Sequence, residues 1–321
     1  MRIQVLALEG VFDTGLATVL DAFSTANELA EMASLTSLRF EVTIVGVRET
    51  VHTSQRLTVP VVPAVSAGAP DLVVVPALGY KMPDPLLAAL ARPDVGDAGR
   101  MLRRWAGQGA LIAAACIGTF VLAEASLLDG QDATTTWWLA PLFRQRYPKV
   151  RLDESRIIVP SNRFVTAGAA LSHLDMALWL IRQASPDVAA LTAKYLVVDT
   201  RPSQAVYLVP SHLAHADPVV EGFERWARAR LAEGFSLEDA ARATATSTRT
   251  LARHMHKVLG KSPLSYFQDL RIERAVHLLK TSDESVEQIA SRVGYADGVT
   301  LRVLLRRRLG HGVRELRPIH S

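Results

Sequence analysis

The chain has 321 residues, with 36 Lys and Arg, 32 Asp and Glu, and a hydrophobic fraction of 49%. Its length is enough for two domains with separate hydrophobic cores. No uninterrupted run of about 18 apolar residues occurs, so the sequence predicts no membrane-spanning helix and no membrane partner. Cys116 is the single cysteine, which excludes an intrachain disulfide and suits a cytoplasmic protein.

The charges are divided unevenly along the chain. Residues 218–321 contain 18 Lys and Arg against 12 Asp and Glu, whereas residues 1–217 contain 18 against 20. A basic terminal segment is typical of a nucleic-acid-binding domain, although a solvated helical face gives the same count. The nine histidines lack zinc-site spacing, so we expect no metal and no cofactor.

The front part of the chain alternates short apolar runs with helical patterns. The predicted strands are Ile3–Leu8, Phe40–Val45, Leu72–Val75, Leu111–Ala115, Ile157–Val159 and Phe164–Thr166. The predicted helices are Thr18–Met32, Pro85–Ala91, Gly99–Gln108, Thr119–Ala125, Leu139–Arg146 and Leu171–Gln183. Continuous apolar strands alternating with helices indicate a doubly wound, flavodoxin-like α/β domain with a parallel sheet.

Cys116 lies at a sharp turn between the predicted strand that ends at Ala115 and the helix that begins at Thr119. This is the layout of a nucleophile elbow, and the helix N-terminus would favour the thiolate. A small buried side chain that fills a tight turn has the same pattern. The residues alone leave both interpretations open.

The last hundred residues contain two helix-turn-helix patterns, in residues 235–260 and 285–310, joined by one amphipathic helix. A short helix, a turn and a second helix form the unit that places a recognition helix in the DNA major groove. Two copies in tandem are a much stronger signal than one. We therefore predict an all-α domain that binds double-stranded DNA.

The outward side chains of the first recognition helix are predicted to contact DNA. Arg249 and Arg253 are four residues apart and lie on one face, where each can bind guanine through two hydrogen bonds. The predicted contact residues of this unit are Ser247 as N-cap, Thr248, Arg249, Thr250, Ala252, Arg253 and His256.

The second unit is expected to grip phosphate rather than to read many bases. Its predicted contact residues are Thr300, Arg302, Val303, Arg306 and Arg307, together with Arg308. Thr300 or Val303 could also touch a thymine methyl group. Leu301 and Leu305 are expected to face the core.

Two stretches carry a family resemblance. The run 116–130, followed by 133–137, resembles the ThiJ/PfpI superfamily, relatives of class I glutamine amidotransferases. The tandem units and the Gly260, Ser262, Pro263, Tyr266 spacing resemble the AraC/XylS family. In this order, both resemble the GlxA subgroup of AraC-type transcriptional regulators. The resemblance implies a regulator of transcription that binds promoter or operator DNA, forms a homodimer and responds to a small-molecule effector.

The sequence departs from catalytic ThiJ/PfpI members at the elbow. Ile117 stands where those members often have histidine, and Thr136 stands where many relatives have another. A thiol without a base is poorly activated for acyl transfer, so we predict no enzyme activity. We expect instead an effector pocket around Asp13, Cys116, Ile117 and Thr136, at the carboxyl ends of the strands. His173 is expected to be a surface or packing residue.

The predicted organisation is a sensor and dimerisation domain at 1–205, a linker at 206–218 and a DNA-binding domain at 219–321. One alternative is a ThiJ/PfpI-type cysteine hydrolase or deglycase with a fused DNA-binding tail. Another is a scaffold that binds DNA without any ligand.

Overall fold

A computed structural model describes residues 1–35, 38–199, 203–204, 217–309 and 312–317 of the chain. The chain divides into two compact units, the first comprising Met1–Leu139 and Tyr147–Gln204, the second Ala140–Arg146 and Ala205–Ser321. Gly310 and the predicted linker, except for Asp217 and Pro218, lie outside the described residues.

The first unit is built on a mostly parallel sheet. Its strands are β1 (Arg2–Ala7), β2 (Glu41–Gly46), β3 (Val51–His52), β4 (Thr58–Val59), β5 (Val62–Pro63), β6 (Leu72–Val75), β7 (Leu111–Ala115), β8 (Asp132–Ala133), β9 (Arg151–Leu152), β10 (Ile158–Ser161) and β11 (Phe164–Ala167). In the described residues, seven of these strands form one sheet in the order β10-β11-β7-β6-β1-β2-β5. Only the β10–β11 pair is antiparallel. The predicted flavodoxin-like α/β fold is confirmed.

The helices of the first unit follow the predicted pattern with one addition and one loss, because the helix predicted at Leu139–Arg146 groups with the second unit. They are α1 (Asp13–Met32), α2 (Pro83–Leu90), α3 (Pro93–Gly107), α4 (Gly118–Glu124), α6 (Ser172–Ala184) and α7 (Pro186–Tyr195). The sequence analysis missed α7, which begins at once after α6. Its start is set by Pro186 in the first turn and by the Ser185 hydroxyl, which accepts a hydrogen bond from the Val188 amide at 3.3 Å.

Burial explains why the central strands read as continuous apolar runs. Every residue of β6 is buried, and Val5, Val74 and Ala113 belong to one core cluster with Phe23 and other side chains of α1, α6 and α7. A parallel strand covered on both faces has no polar side to present. The chain runs from β1 to β2 in one direction and later to β6 in the other. The carboxyl ends of β1 and β6 therefore mark the topological switch point of the sheet.

The second unit is helical in its described residues. Its helices are α5 (Ala140–Arg146), α8 (Pro218–Arg228), α9 (Leu237–Ala243), α10 (Thr248–Leu259), α11 (Pro263–Thr281), α12 (Val286–Arg292), α13 (Gly298–Leu309) and α14 (Val313–Leu316). None of the helices that the structure describes, in either unit, combines the length and apolarity needed to cross a bilayer.

The long helix α11 contributes to two separate cores. Near its start, Phe267 packs in an aromatic cluster with Trp226 and Phe235. Its second half, through Ala275 and Leu279, joins the cluster formed by α12, α13 and α14. Leu264 is exposed, because the inward positions of the first turns of α11 are taken by Pro263, Tyr266 and Phe267.

A polar network around the buried Glu224 joins α8 to α11. The carboxylate of Glu224 accepts hydrogen bonds from Nε of Arg228 at 2.7 Å and from the hydroxyl of Tyr266 at 3.3 Å. Arg228 also donates to Glu273 of α11 at 2.7 Å. Burial raises the pKa of Glu273 and of Tyr266. Because buried charges are costly when unpaired, this network permits few relative positions of the two helices.

The turns of the two helix-turn-helix units place different residue types at their left-handed position. Each turn contains a residue with left-handed backbone, Ala245 at φ 51° in the first unit and Gly294 at φ 83° in the second. A Cβ atom at Gly294 would collide with the carbonyl oxygen of Leu231 and the guanidinium of Arg271. Ala245 accepts the left-handed conformation at a cost of about 1–2 kcal/mol.

We expect Gly294→Ala to destabilise the second unit by about 2 kcal/mol or more, since it adds both backbone strain and a steric collision. Ala245→Gly should change stability by between zero and about 1 kcal/mol in the stabilising direction. Hydrogen exchange of peptides from residues 237–309, followed by mass spectrometry in the full chain, measures both effects. Equal exchange rates in Gly294→Ala and in the unaltered protein would contradict this account of the turn.

Candidate functional site

Both recognition helices start with well-defined N-caps. The hydroxyl of Ser247 accepts a hydrogen bond from the Thr250 amide at 3.1 Å, and the carboxylate of Asp297 accepts one from the Thr300 amide at 2.6 Å. Ser247 also donates to the Thr250 hydroxyl at 3.0 Å, so the predicted contact residues Ser247 and Thr250 are partly engaged within the cap. These caps fix where each recognition helix begins and therefore which residues face outward.

The first recognition helix, α10, separates an apolar face from a basic one. Leu251, Met255 and Leu259 are buried. Arg249 and Arg253 are exposed, and neither has an ion-pair partner among the residues that the structure describes. The exposed neighbours on this face are His256 and Lys257, whereas Thr248 and Ala252 are half-buried at its edges. The structure therefore brings Arg249, Arg253 and His256 together on one free surface.

Asp217 connects the start of α8 to this recognition helix. Its carboxylate accepts hydrogen bonds from the Val219 and Val220 amides at 2.9 and 3.2 Å. The other carboxylate oxygen lies 2.8 Å from Nδ1 of His254 in α10. Burial favours the protonated form of Asp217, but these hydrogen bonds outweigh that effect. The pKa of the Asp217 carboxyl therefore lies below its usual value. His254 thus serves to position α10 and is not available to DNA.

The second recognition helix, α13, has an exposed face of mixed chemistry. Leu301, Leu305 and Leu309 are buried, which confirms the inward positions of the two leucines that were predicted. The exposed residues are Val299, Thr300, Arg302, Val303, Arg306 and Arg307. The preceding helix α12 starts with a capping box in which Ser285 and Gln288 bond each other's backbone amides.

The arginines of α13 do not all face solvent freely. Arg308 pairs with Asp269 and donates to Gln268 of α11 at 2.7 Å, so the expectation that it grips phosphate is wrong. The side chain of Arg308 points inward because the carboxylate of Asp269, on α11, lies close enough to form an ion pair with it. Arg302 is exposed and pairs with Glu287 at 2.9 Å. Arg306 and Arg307 are exposed without an ion-pair partner among the described residues.

In the first unit, Cys116 occupies a strained elbow after β7. Its φ is 55°, its amide donates to Ala167 at 2.9 Å, and its carbonyl accepts from the Thr135 hydroxyl at 2.7 Å. A Cβ atom at Gly118 would collide with the carbonyl oxygen of Val75, so only glycine lets α4 approach β6 this closely. The predicted elbow geometry is therefore present.

The elbow thiol is not activated. Cys116 is only 4% exposed, and burial raises the pKa of its thiol to about 12, against small lowering contributions from the Ile117 amide and the Thr136 hydroxyl. Desolvation thus outweighs the favourable helix N-terminus that the sequence suggested. Thr136 faces the thiol without a hydrogen bond of normal geometry, and the hydroxyl of Thr119 is likewise buried without a partner. Cys116, Ile117 and Thr136 do lie together, as predicted.

His173 is a packing residue of the core and is not on the surface. Its Nε2 accepts a hydrogen bond from the Ala77 amide at 3.0 Å, and its Nδ1 lies 2.5 Å from the Ala170 carbonyl oxygen. Burial lowers the pKa of His173 to about 4, so the ring is neutral near pH 7 with its Nδ1 as donor. Both ring nitrogens are occupied by backbone groups, so His173 is not free to act as a base for a thiol. Its ring also explains Gly15, where a Cβ atom would meet the imidazole.

The two acidic residues after β1, Glu9 and Asp13, accept hydrogen bonds from residues 52–55. Asp13 accepts hydrogen bonds from the Ser54 hydroxyl at 2.7 Å and the Gln55 amide at 3.1 Å. Burial raises the pKa of Asp13, but hydrogen bonds including that from Thr53 hold it below its usual value. Glu9 is exposed and accepts from the His52 amide at 3.0 Å. Among the described residues, neither carboxylate hydrogen-bonds to Cys116, whose thiol neighbours are Ile117 and Thr136.

A cleft of about 560 Å³ opens elsewhere in the first unit, beside β2, β5 and α3. Arg48 and Arg100 on its wall are both paired with Asp97, whereas Arg104 has no ion-pair partner among the described residues. Sequence reasoning missed this cleft, because its residues come from three distant segments without a shared motif. It is lined by Gly46, Val47, Arg48, Glu49, Pro63, Ala64, Val65, Asp97, Arg100, Met101 and Arg104. Among the described residues, no group of three or more His, Cys, Asp or Glu side chains is placed to hold a metal ion.

Comparisons with known proteins agree with this architecture. The DJ-1/PfpI family matches residues 1–183, and a helix-turn-helix domain family matches residues 240–318. The transcriptional regulator GbdR of Pseudomonas aeruginosa strain UCBPP-PA14 is 31% identical over 198 residues, which are 60% of this chain and 54% of GbdR. The transcriptional activator RhaS of Escherichia fergusonii is 40% identical over 92 residues, covering 29% of this chain and 33% of RhaS. The matched region thus spans about half the length of GbdR and a third of RhaS.

A solved structure supports the fold of the first unit. The crystal structure of an AraC family transcriptional regulator from Pseudomonas putida superposes with a TM-score of 0.51 at 20% identity, over 61% of this chain and 98% of that one. The fold and the site together define a protein with a flavodoxin-like front unit and an AraC-type tandem helix-turn-helix unit. The chain belongs to the DJ-1/PfpI family.

We expect Cys116 to be inert towards thiol reagents in the folded protein. A pKa of about 12 leaves on the order of one thiolate in ten thousand near pH 8, and burial blocks access. Ellman's reagent should therefore detect almost no thiol in the native chain and one thiol per chain in guanidinium chloride. Complete native labelling within minutes would show that the elbow is open and reactive.

Proposed function

We propose that this chain is a sequence-specific, DNA-binding regulator of transcription. The observation that carries the proposal is the free basic face of α10, where Arg249 and Arg253 lie opposite a buried apolar stripe. Two exposed arginines one helical turn apart suit bidentate contacts to guanine in the major groove. The relatives GbdR and RhaS are named as transcriptional regulators, which supports the same function.

The connecting helix supports simultaneous binding by both units. The 19 residues of α11 span about 28 Å, close to the roughly 34 Å between successive major grooves on one face of DNA. The first recognition helix precedes α11 directly, and the second packs against its C-terminal half. We propose that one chain contacts two half-sites about one helical turn apart.

The front unit is proposed to be a sensing and dimerisation domain without catalysis. A buried thiol with a raised pKa and a histidine held by backbone groups support a non-enzymatic role. Amidase, peptidase or deglycase turnover that disappears in Cys116→Ala would instead favour a cysteine hydrolase or deglycase with a fused DNA-binding tail.

Two places in the front unit are candidates for an effector. The elbow offers the unpartnered hydroxyls of Thr119 and Thr136 but is closed. The cleft beside α3 is open and offers Arg104 above the apolar side chains of Val65 and Met101, which suits a small organic anion.

We expect a small organic anion that stabilises the protein in a thermal-shift screen to lose its effect in Arg104→Ala and to keep it in Thr136→Val. Ligand binding to the native state raises the unfolding midpoint, so the lost shift reports the lost site. The opposite pattern would place the effector at the elbow. No stabilising ligand at all would favour a scaffold that binds DNA constitutively.

The DNA-binding proposal is tested by selecting random duplex DNA with the full chain near physiological salt. With the selected sequence, Arg253→Ala should weaken binding by about tenfold to a hundredfold and relax the preference at one base pair. Arg307→Ala should weaken all sequences alike and lower the salt slope by about one, because it removes a phosphate contact. Equal losses on selected and random DNA in both variants would contradict this division.

A further inference from the structure

The two recognition helices correspond residue for residue, with an offset of 50. The buried leucines Leu251 and Leu301 occupy the same position, and Met255 with Leu305 and Leu259 with Leu309 are further buried pairs; the buried Val258 differs, since its counterpart is the half-buried Arg308. Both helices are 12 residues long and begin three residues before the first buried leucine. The same position on each helix therefore has the same orientation relative to its own core.

This correspondence pairs the two free arginines of the first unit with two valines of the second. Arg249 corresponds to Val299, and Arg253 corresponds to Val303. At 100° per residue, position 303 lies opposite the buried stripe of α13, as position 253 does in α10. The centre of the exposed helix face is therefore cationic in the first unit, at Arg249 and Arg253. In the second unit it is apolar, at Val299 and Val303.

The valines are exposed to solvent in the free protein. Val299 is 65% exposed and Val303 is 60% exposed, and the spacing of four residues puts them on one face of α13. Their apolar surface gains free energy only when a partner covers it. Neither side chain is needed in the core, which Leu301, Leu305 and Leu309 fill.

The surroundings indicate which partner covers them. Arg306 and Arg307 are exposed on the same side of α13 and have no ion-pair partner among the described residues. They correspond to His256 and Lys257 of the first unit. A basic rim attracts the phosphates that flank a major groove, and the apolar group that projects into this groove is the thymine methyl. A protein partner with an apolar contact would have to be acidic and would not depend on base identity.

We propose that Val299 and Val303 read the methyl groups of adjacent thymines, so that the two half-sites of the operator differ in chemistry. The half-site under α10 contains guanine, read by arginine, and the half-site under α13 contains thymine, read by valine. A protein with two different reading faces binds such a site in one orientation only. This inference rests on the proposed DNA-binding function and adds the chemistry and the direction of the site.

The test replaces single thymines by deoxyuridine, which removes only the methyl group and keeps base pairing. The operator is first selected from random duplex DNA with the full chain, and affinities are then measured by fluorescence anisotropy. We expect one or two thymines of one half-site to lose about threefold to fivefold in affinity on replacement, as burial of one methyl group predicts. Thymines elsewhere should show no change.

Matched variants assign the effect to the valines. Val299→Ala and Val303→Ala should bind the thymine operator more weakly and should each remove the penalty at one of the sensitive thymines. Arg307→Ala, on the same helix, should bind more weakly yet keep both penalties. Circular dichroism shows whether each variant is folded, and all three substitutions lie on the surface.

Several outcomes overturn the inference and leave the proposed function intact. These are a selected operator with no thymine in the second half-site, deoxyuridine penalties within error at every position, or penalties that persist in both valine variants. If α13 instead binds a protein, DNA affinity should be the same for both valine variants as for the unaltered chain. Failure of the DNA-binding proposal looks different, because no sequence would then be enriched in the selection.

Discussion

Both helix-turn-helix units depend on one helix, α11, and on the limited positions that it permits to its neighbours. Apolar residues in each half of this helix take part in a different core, so neither half can move without disturbing the unit packed on it. The contacts of Glu224 with Arg228 and Tyr266 add a directional constraint, because the buried Glu224 carboxylate tolerates little displacement from its partners. A separation set by packing is more rigid than one set by a flexible linker, and rigidity lowers the entropic cost of binding two grooves together.

In the front unit, desolvation of Cys116 determines the pKa of the elbow thiol and therefore its reactivity. The backbone of Cys116 has the strained conformation associated with nucleophiles, and a helix begins just after it. Yet the thiol is enclosed and its pKa rises, since the free energy of hydrating the thiolate is lost and the hydrogen bonds from its neighbours do not compensate for it. A family scaffold can therefore keep the geometry of a catalytic turn while the environment removes its reactivity. The same turn then acts as a rigid junction between β7, α4 and the strand that follows.

Much of this organisation was predictable from the sequence, and the exceptions have physical reasons. The apolar strand Leu72–Val75 and the inward positions of Leu301 and Leu305 were predictable from the hydrophobic pattern of the sequence. The structure buries all of these residues. The environment of Arg308 was misjudged, and the choice between surface and packing was left open for His173, because both depend on partners far away in sequence, Asp269 and Ala77. The cleft beside α3 could not be predicted from the sequence, since it is lined by three separate segments and none of them contains a recognisable motif.

The offset of 50 residues between α10 and α13 also bears on how such a protein changes over evolutionary time. The residues that hold each helix in its core and the residues that face outward do not overlap. Under the proposed function, substitutions at positions 249 and 253, or at 299 and 303, would alter what one half recognises with little effect on folding. Because the two helices pack in separate cores, one half could acquire a new preference while the other keeps its old one. A tandem arrangement of this kind would let a regulator move to new promoters stepwise, with the contacts of one half-site retained at every stage.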